Sequence, residues 1–129
     1  MVNLHKIKSI YNFDETCNKI YEFLNSRNVT VFITIDHHEN AVKVGLTLRP
    51  EKVILFGSPL VGTYLIEENP DIGLDLPSKV LVYQNNNSVY VVHKDYDTLK
   101  DEFHIYRSSK FISKLASLMT DMDNYILHS

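Results

Sequence analysis

An α+β domain is predicted here, with a mixed or largely antiparallel sheet of about five strands, helices packed against it and a long C-terminal helix. Three observations predict it. Strand-length runs of alternating or continuous apolar residues recur along the chain. Two of them, 79–83 and 88–92, are joined only by Gln84-Asn85-Asn86-Asn87 and so form an antiparallel hairpin. Apolar residues return at helical spacing twice, once early and once over the last twenty residues.

Taken in order, Leu4 to Tyr11 reads as the first strand, with Ile7 and Ile10 among polar neighbours. Asn12-Phe13-Asp14-Glu15 has the form of a capping box, the Asn oxygen taking the free amide of the third helical residue while Glu15 reaches back. Phe13, Cys17, Ile20 and Leu24 then follow at spacings of four, three and four, and the helix ends near Arg27-Asn28. Val29 to Asp36, alternating Thr with aliphatics, is the strongest strand. Asp36 can cap a short helix from His37 to Val44, closed by Gly45 in the left-handed position. Arg49-Pro50 forces an extended link. Lys52 to Phe56 is a buried strand, broken at Gly57-Ser58-Pro59. Pro59 suits the first turn of the next helix, which Gly62 weakens and Asn69-Pro70 stops.

Leu76-Pro77 leads into the hairpin strands, Lys79 to Tyr83 and Ser88 to Val92. Asp95 to Phe103 suggests a helix of one or two turns. Phe111, Ile112, Leu115, Leu118, Met119, Met122 and Ile126 then stripe a long helix from Ser108 or Ser109 to Leu127. A βαβαβ nucleotide fold is a poor fit, because it wants longer crossover helices and a glycine-rich first turn. The first turn here has no glycine.

The length of 129 residues suits one domain, 1–129, large enough to bury an ordinary core. With 44% hydrophobic and 22% charged residues, the composition is globular and not disordered. No apolar run approaches the length of a bilayer crossing. The net charge of −3, with acids and bases interspersed, supplies no basic stripe for nucleic acid. No basic amphipathic helix is present for a membrane surface. The first residues lack the apolar core of a signal peptide, and the single Cys17 cannot form an internal disulfide. A cytoplasmic location is therefore expected, with no cofactor and no metal.

Several motifs in the middle of the chain occur together at consistent spacings. They are Asp36-His37, Ala41, Gly45-Leu46, Leu48-Arg49-Pro50, Phe56-Gly57 with Pro59, Gly62-Thr63, Pro70, Asp75-Leu76-Pro77 and Lys79-Val80-Leu81-Val82. In these the stretch from Ile35 to Val82 resembles domain-of-unknown-function family 302 (DUF302), and Phe13-Asp14-Glu15-Thr16 fits the start of its first helix. The resemblance implies a helix-grip type of fold, in which a curved sheet packs against a terminal helix, and a homodimer. It implies no established activity. Ser58 stands where the family usually shows Asn, and Ser78 where an apolar residue commonly follows Leu-Pro.

Asp36-His37-His38-Glu39 is the densest ionisable cluster. A carboxylate there can orient His37 as a general base, although capping alone explains Asp36. Adjacent histidines point about 100° apart on a helix and lack the i, i+4 spacing of a zinc site. Phe56-Gly57-Ser58-Pro59, followed by Gly62-Thr63, joins a buried strand to a helix N-terminus. Free amides there, with the Ser58 and Thr63 hydroxyls, can meet an anion; equally, Gly57 can serve a sharp turn and Ser58 a cap. Asp75 can reach His37 or a ligand, or fix a turn, and Arg49 can pair with Asp75. Cys17 belongs to the core. His93, His104 and His128 are explained by surface or rim positions, and Tyr64, Tyr83, Tyr90 and Tyr125 either line a cleft or sit at amphipathic boundaries.

The leading expectation is a homodimeric small-molecule binding module, anions included, with His37, Gly57, Ser58, Thr63 and Asp75 at its site. One alternative is an enzyme using His37 as base with Asp36 or Asp75. Another is a protein-interaction scaffold with an exposed sheet edge or helix.

Overall fold

The computed structural model describes residues 3–128. Strand β1 (Leu4–Lys8) leads to helix α1 (Phe13–Ser26), β2 (Thr30–Asp36), α2 (His37–Lys43) and β3 (Glu51–Gly57). Then come α3 (Pro59–Glu68), a 3-10 turn at Pro70–Asp75, and the hairpin of β4 (Ser78–Asn85) and β5 (Ser88–Lys94). A second 3-10 turn (Tyr96–Thr98), α4 (Leu99–Glu102) and α5 (Ser109–His128) complete the chain.

The five strands form one sheet in the order β1-β5-β4-β3-β2, and every neighbouring pair is antiparallel. The choice between a mixed and an antiparallel sheet is thus resolved: α1 carries the chain from one edge strand, β1, to the other, β2, and each later strand is laid beside its predecessor and runs the other way. Alternation sorts the side chains between two faces. Ile54, Phe56, Val80, Val82, Val89 and Val91 point to one face and are buried with α1 and α5. Ile20, Phe23 and Leu24 of α1 meet Ile112, Met119, Met122 and Ile126 of α5 in that core. On the opposite face Ile35, Val53, Leu55, Leu81 and Val92 are only half-buried, and Ile33 is exposed.

Local chemistry explains most boundaries. The Asn12 Oδ1 accepts the Glu15 amide (2.8 Å), and its Nδ2 donates to Glu15 Oε1 (3.0 Å), so the box closes through both side chains. Asp36 caps α2 by accepting the Glu39 amide (2.9 Å), and Gly45 takes φ +80° just beyond that helix. The first strand is shorter than the alternation suggests. Ser9 turns inward, its Oγ meeting Thr16 Oγ1 (2.7 Å) and accepting the Tyr11 amide (3.1 Å), which leaves Ile10 exposed. The helix expected over 95–103 is divided between the second 3-10 turn and α4.

Gly62 does not interrupt α3, and an added Cβ there would meet nothing within 4 Å. Gly62→Ala therefore removes backbone freedom from the unfolded chain without a clash. It raises the unfolding free energy by about 0.5–1 kcal/mol, to be read as a higher urea midpoint at unchanged slope.

Candidate functional site

β3 runs from Glu51 toward Gly57 between β4 and the edge strand β2 and delivers the chain directly into α3. Gly57 is a close fit, since a Cβ there would lie 3.4 Å from Phe32 Cε2 and 4.0 Å from Pro77 Cβ. Ser58 caps α3, its Oγ accepting the Val61 amide at 3.4 Å. Pro59 has no amide to offer, and Gly62 donates to the Ser58 carbonyl (2.9 Å). The helix start thus offers an anion far fewer amides than a four-donor N-terminus does.

Between this junction, α3 and α5 lies a cleft of about 580 Å³. Phe56, Gly57, Leu65, Pro77, Leu115 and Leu118 form much of its wall, which is predominantly apolar. Two of its hydroxyl groups are engaged within the fold and a third is buried. Thr63 Oγ1 donates back to the Pro59 carbonyl (2.7 Å), Ser58 serves as the cap, and Ser78 lies buried at the start of β4. The charged side chains on the wall are Arg27 and Lys114.

The two helical walls are held together at one end. Glu68, the last residue of α3, accepts the amides of Tyr106, Arg107 and Ser108 (2.6, 3.1 and 2.7 Å) just before α5 begins. The Tyr106 amide chiefly, with those of Ser108 and Arg107, holds its carboxyl below the usual range despite partial desolvation. Tyr64 stacks on Phe111 beside this clasp, with ring centroids 5.4 Å apart.

Of the residues singled out in the sequence, the fold brings Gly57, Ser58 and Thr63 together on the cleft. It separates His37 and Asp75 from each other. Asp36 pairs with Lys52 and Lys52 with Val82, whereas Ser78 pairs with Phe56, so His37 and Asp75 flank opposite ends of the sheet. Asp75 is engaged by Lys94 (3.1 Å), which also binds Glu102 (2.9 Å), and Arg49 pairs with Glu51 (3.4 Å). His37 opens α2 half-buried, its side chain making no hydrogen bond to any described residue, while His38 Nδ1 donates to the Leu48 carbonyl (2.6 Å). Asp36 is spent on its cap. No cluster of three or more His, Cys, Asp or Glu placed to hold a metal occurs among the described residues.

One buried polar pair escapes the sequence reading, which puts His93 at the surface. His93 is 6% exposed. Its Nδ1 donates to the Lys94 carbonyl (2.8 Å) and its Nε2 lies 2.8 Å from Asp123 Oδ2 on α5. His5 stacks on the same ring at 5.3 Å. The signal was available: Val89, Val91 and His93 alternate toward one face. Cys17 is a core residue as expected, and burial pushes its thiol up to about 11. Tyr83 and Tyr90 pack edge to face under Lys6, away from the cleft.

Fold and site together define a small α+β domain with a ligand-sized apolar cleft and no helix, among the described residues, long and apolar enough to cross a membrane. The chain belongs to the DUF302 family (domain of unknown function DUF302), whose pattern matches residues 5–122. The crystal structure of an uncharacterized conserved DUF302 protein from Bacillus stearothermophilus superposes with a TM-score of 0.85, covering 95% of this chain and 97% of that one at 17% identity. At that identity the likeness is one of fold. Fluoride-specific ion channel FluC 1 of Brucella suis biovar 1 is 33% identical over 81 residues, which are 63% of this chain and 32% of the channel protein. FluC 2 of Brucella melitensis biotype 1 matches at 33% over 81 residues, or 30% of its length. The chain thus spans about a third of these curated relatives.

Proposed function

We propose that this protein is a single-domain, homodimeric, cytoplasmic small-molecule binding module whose ligand occupies the cleft beside Gly57, Ser58 and Thr63. The observation that carries this reading is the cleft itself. Its volume of about 580 Å³ falls within the roughly 300–1,000 Å³ typical of organic ligand sites, and its wall is apolar. The open sheet face supports the dimer, since Ile33, Ile35, Val53, Leu55, Leu81 and Val92 run across four strands and are half-buried or exposed. The reduced, buried Cys17 fits a cytoplasmic setting. Fluoride conduction belongs to the channel relatives as whole proteins, and an apolar cleft of organic-ligand size offers no reason to carry it over.

Binding of the neutral fluorescent probe N-phenyl-1-naphthylamine tests the cleft. We expect saturable enhancement with the natural sequence and its loss in Gly62→Leu, whose side chain enters open space on the cleft wall. Equal binding by that variant would place the site elsewhere. Light scattering after size-exclusion chromatography tests the assembly: a dimer is expected, and Leu55→Lys on the open face makes it a monomer. A natural chain that is monomeric at micromolar concentration excludes the dimer.

A further inference from the structure

We propose that the ligand is a free single-chain carboxylate amphiphile, with its head at Lys114 and Arg27 and its unbranched tail along the cleft; this rests on the cleft being the binding site. Three observations select that chemistry. Among the described residues the charged groups on the wall are both cations, and no carboxylate lines it. Arg27 shares its charge with Asp121 (3.0 Å) and lies over the Phe23 ring, whereas Lys114 has no ion-pair partner among the described residues. Lys114 is therefore the cation free to meet an incoming anion.

The body of the ligand is constrained by what the wall lacks. Thr63 Oγ1 donates to the Pro59 carbonyl, Ser58 Oγ accepts the Val61 amide, and Ser78 is buried, so the wall leaves little polar capacity to a ligand. A sugar, a nucleobase or a peptide buried here would lose more hydrogen bonds to water than it recovers, which is unfavourable. An alkyl chain loses nothing of that kind and gains by leaving water. Phe56, Leu65, Leu115 and Leu118 supply the surface it would cover. Both cations stay close to solvent, Lys114 being exposed and Arg27 half-open, so the head keeps part of its hydration while the tail is buried.

Displacement of bound N-phenyl-1-naphthylamine by decanoate, dodecanoate and tetradecanoate below their micelle concentrations, and by dodecanol below its solubility limit, tests the assignment. Each added methylene tightens carboxylate binding by about fourfold until the cleft is full. Dodecanoate binds at least threefold more tightly than dodecanol at low salt, and the advantage shrinks as salt screens the head. Lys114→Gln still binds the neutral probe but no longer prefers the carboxylate. Equal displacement by dodecanol and dodecanoate, or a preference that survives Lys114→Gln, overturns the inference while leaving the cleft as a binding site. If the neutral probe does not bind, dodecanoate is titrated directly by calorimetry, and silence there overturns both readings.

Discussion

Asp123→Ala lowers the unfolding free energy by about 3 kcal/mol, the lower end of what removing one partner of a buried charged pair costs. The lower end applies because the Asp123 side chain keeps 16% of its surface in contact with solvent while His93 keeps 4%. The pair ties β5 to α5 across the core, and the alanine variant leaves Nε2 facing no acceptor. Burial opposes the protonated imidazole, but the hydrogen bonds to Asp123 and to the Lys94 carbonyl, with the charges of Asp123 and Asp95, outweigh it. The pKa of His93 is raised. His5 and Lys94 complete the ionisable surroundings, and His5 itself lies 3.8 Å from Asp95.

The sign of the pH effect follows from that direction. A group whose pKa is raised in the fold contributes its full stabilisation below the unfolded value, about 6.5 for histidine. That contribution is lost as pH rises through the folded value. Urea titrations at pH 6 and pH 8 should therefore show the natural protein losing stability toward pH 8 by an increment that Asp123→Ala lacks. Asp123→Asn tests the charge alone: its amide can donate to a neutral Nε2, so it costs less than alanine and still abolishes the increment. A natural chain whose stability is flat from pH 6 to pH 8 would show that His93 is not held protonated.

Phe56→Ala is expected to cost about 3–5 kcal/mol, the usual range for deleting a buried aromatic side chain. Phe56 is fully buried near the end of β3, opposite Ser78 on one side and Val31 on the other. It also forms part of the cleft wall, so the space left behind joins the cleft and water can enter it. The loss should come with a larger cleft and a still-cooperative transition. Chemical denaturation reads the loss and its cooperativity, and tighter binding of a bulkier neutral probe reads the larger cleft. A loss below about 1 kcal/mol, far under that range, means the neighbouring side chains have collapsed into the gap.

Local features of the fold were legible in the chain because their physics is local. The stripe of Phe13, Cys17, Ile20 and Leu24, the caps at Asn12 and Asp36, and the glycine at 45 each depend on neighbours within one turn. Gly57, Ser58 and Thr63 lie together for the same reason, since a strand-to-helix junction brings its own residues together. The link between His37 and Asp75 was not decidable, because it depends on which end of the sheet each adjoins, and that is set by strand register. His93 and Asp123 stand thirty positions apart on a strand and a helix. Seen separately, each is an ordinary polar residue; only the packing of α5 over β5 makes them partners. The clasp between Glu68 and the amides of 106–108 is hidden likewise, because backbone donors leave no mark in a sequence.

That clasp gives the cleft a direction. With α3 fastened at its last residue to the amides of 106–108 and Tyr64 stacked on Phe111, the end of the cleft near Glu68 is pinned across the two helices. The other end of α3 is anchored differently, since Gly57 and Ser58 join it directly to β3. One wall of the cleft is thus tied at its far end to the segment before α5 and at its near end to the sheet, so a change at Glu68 loosens the helix pair without touching the strand.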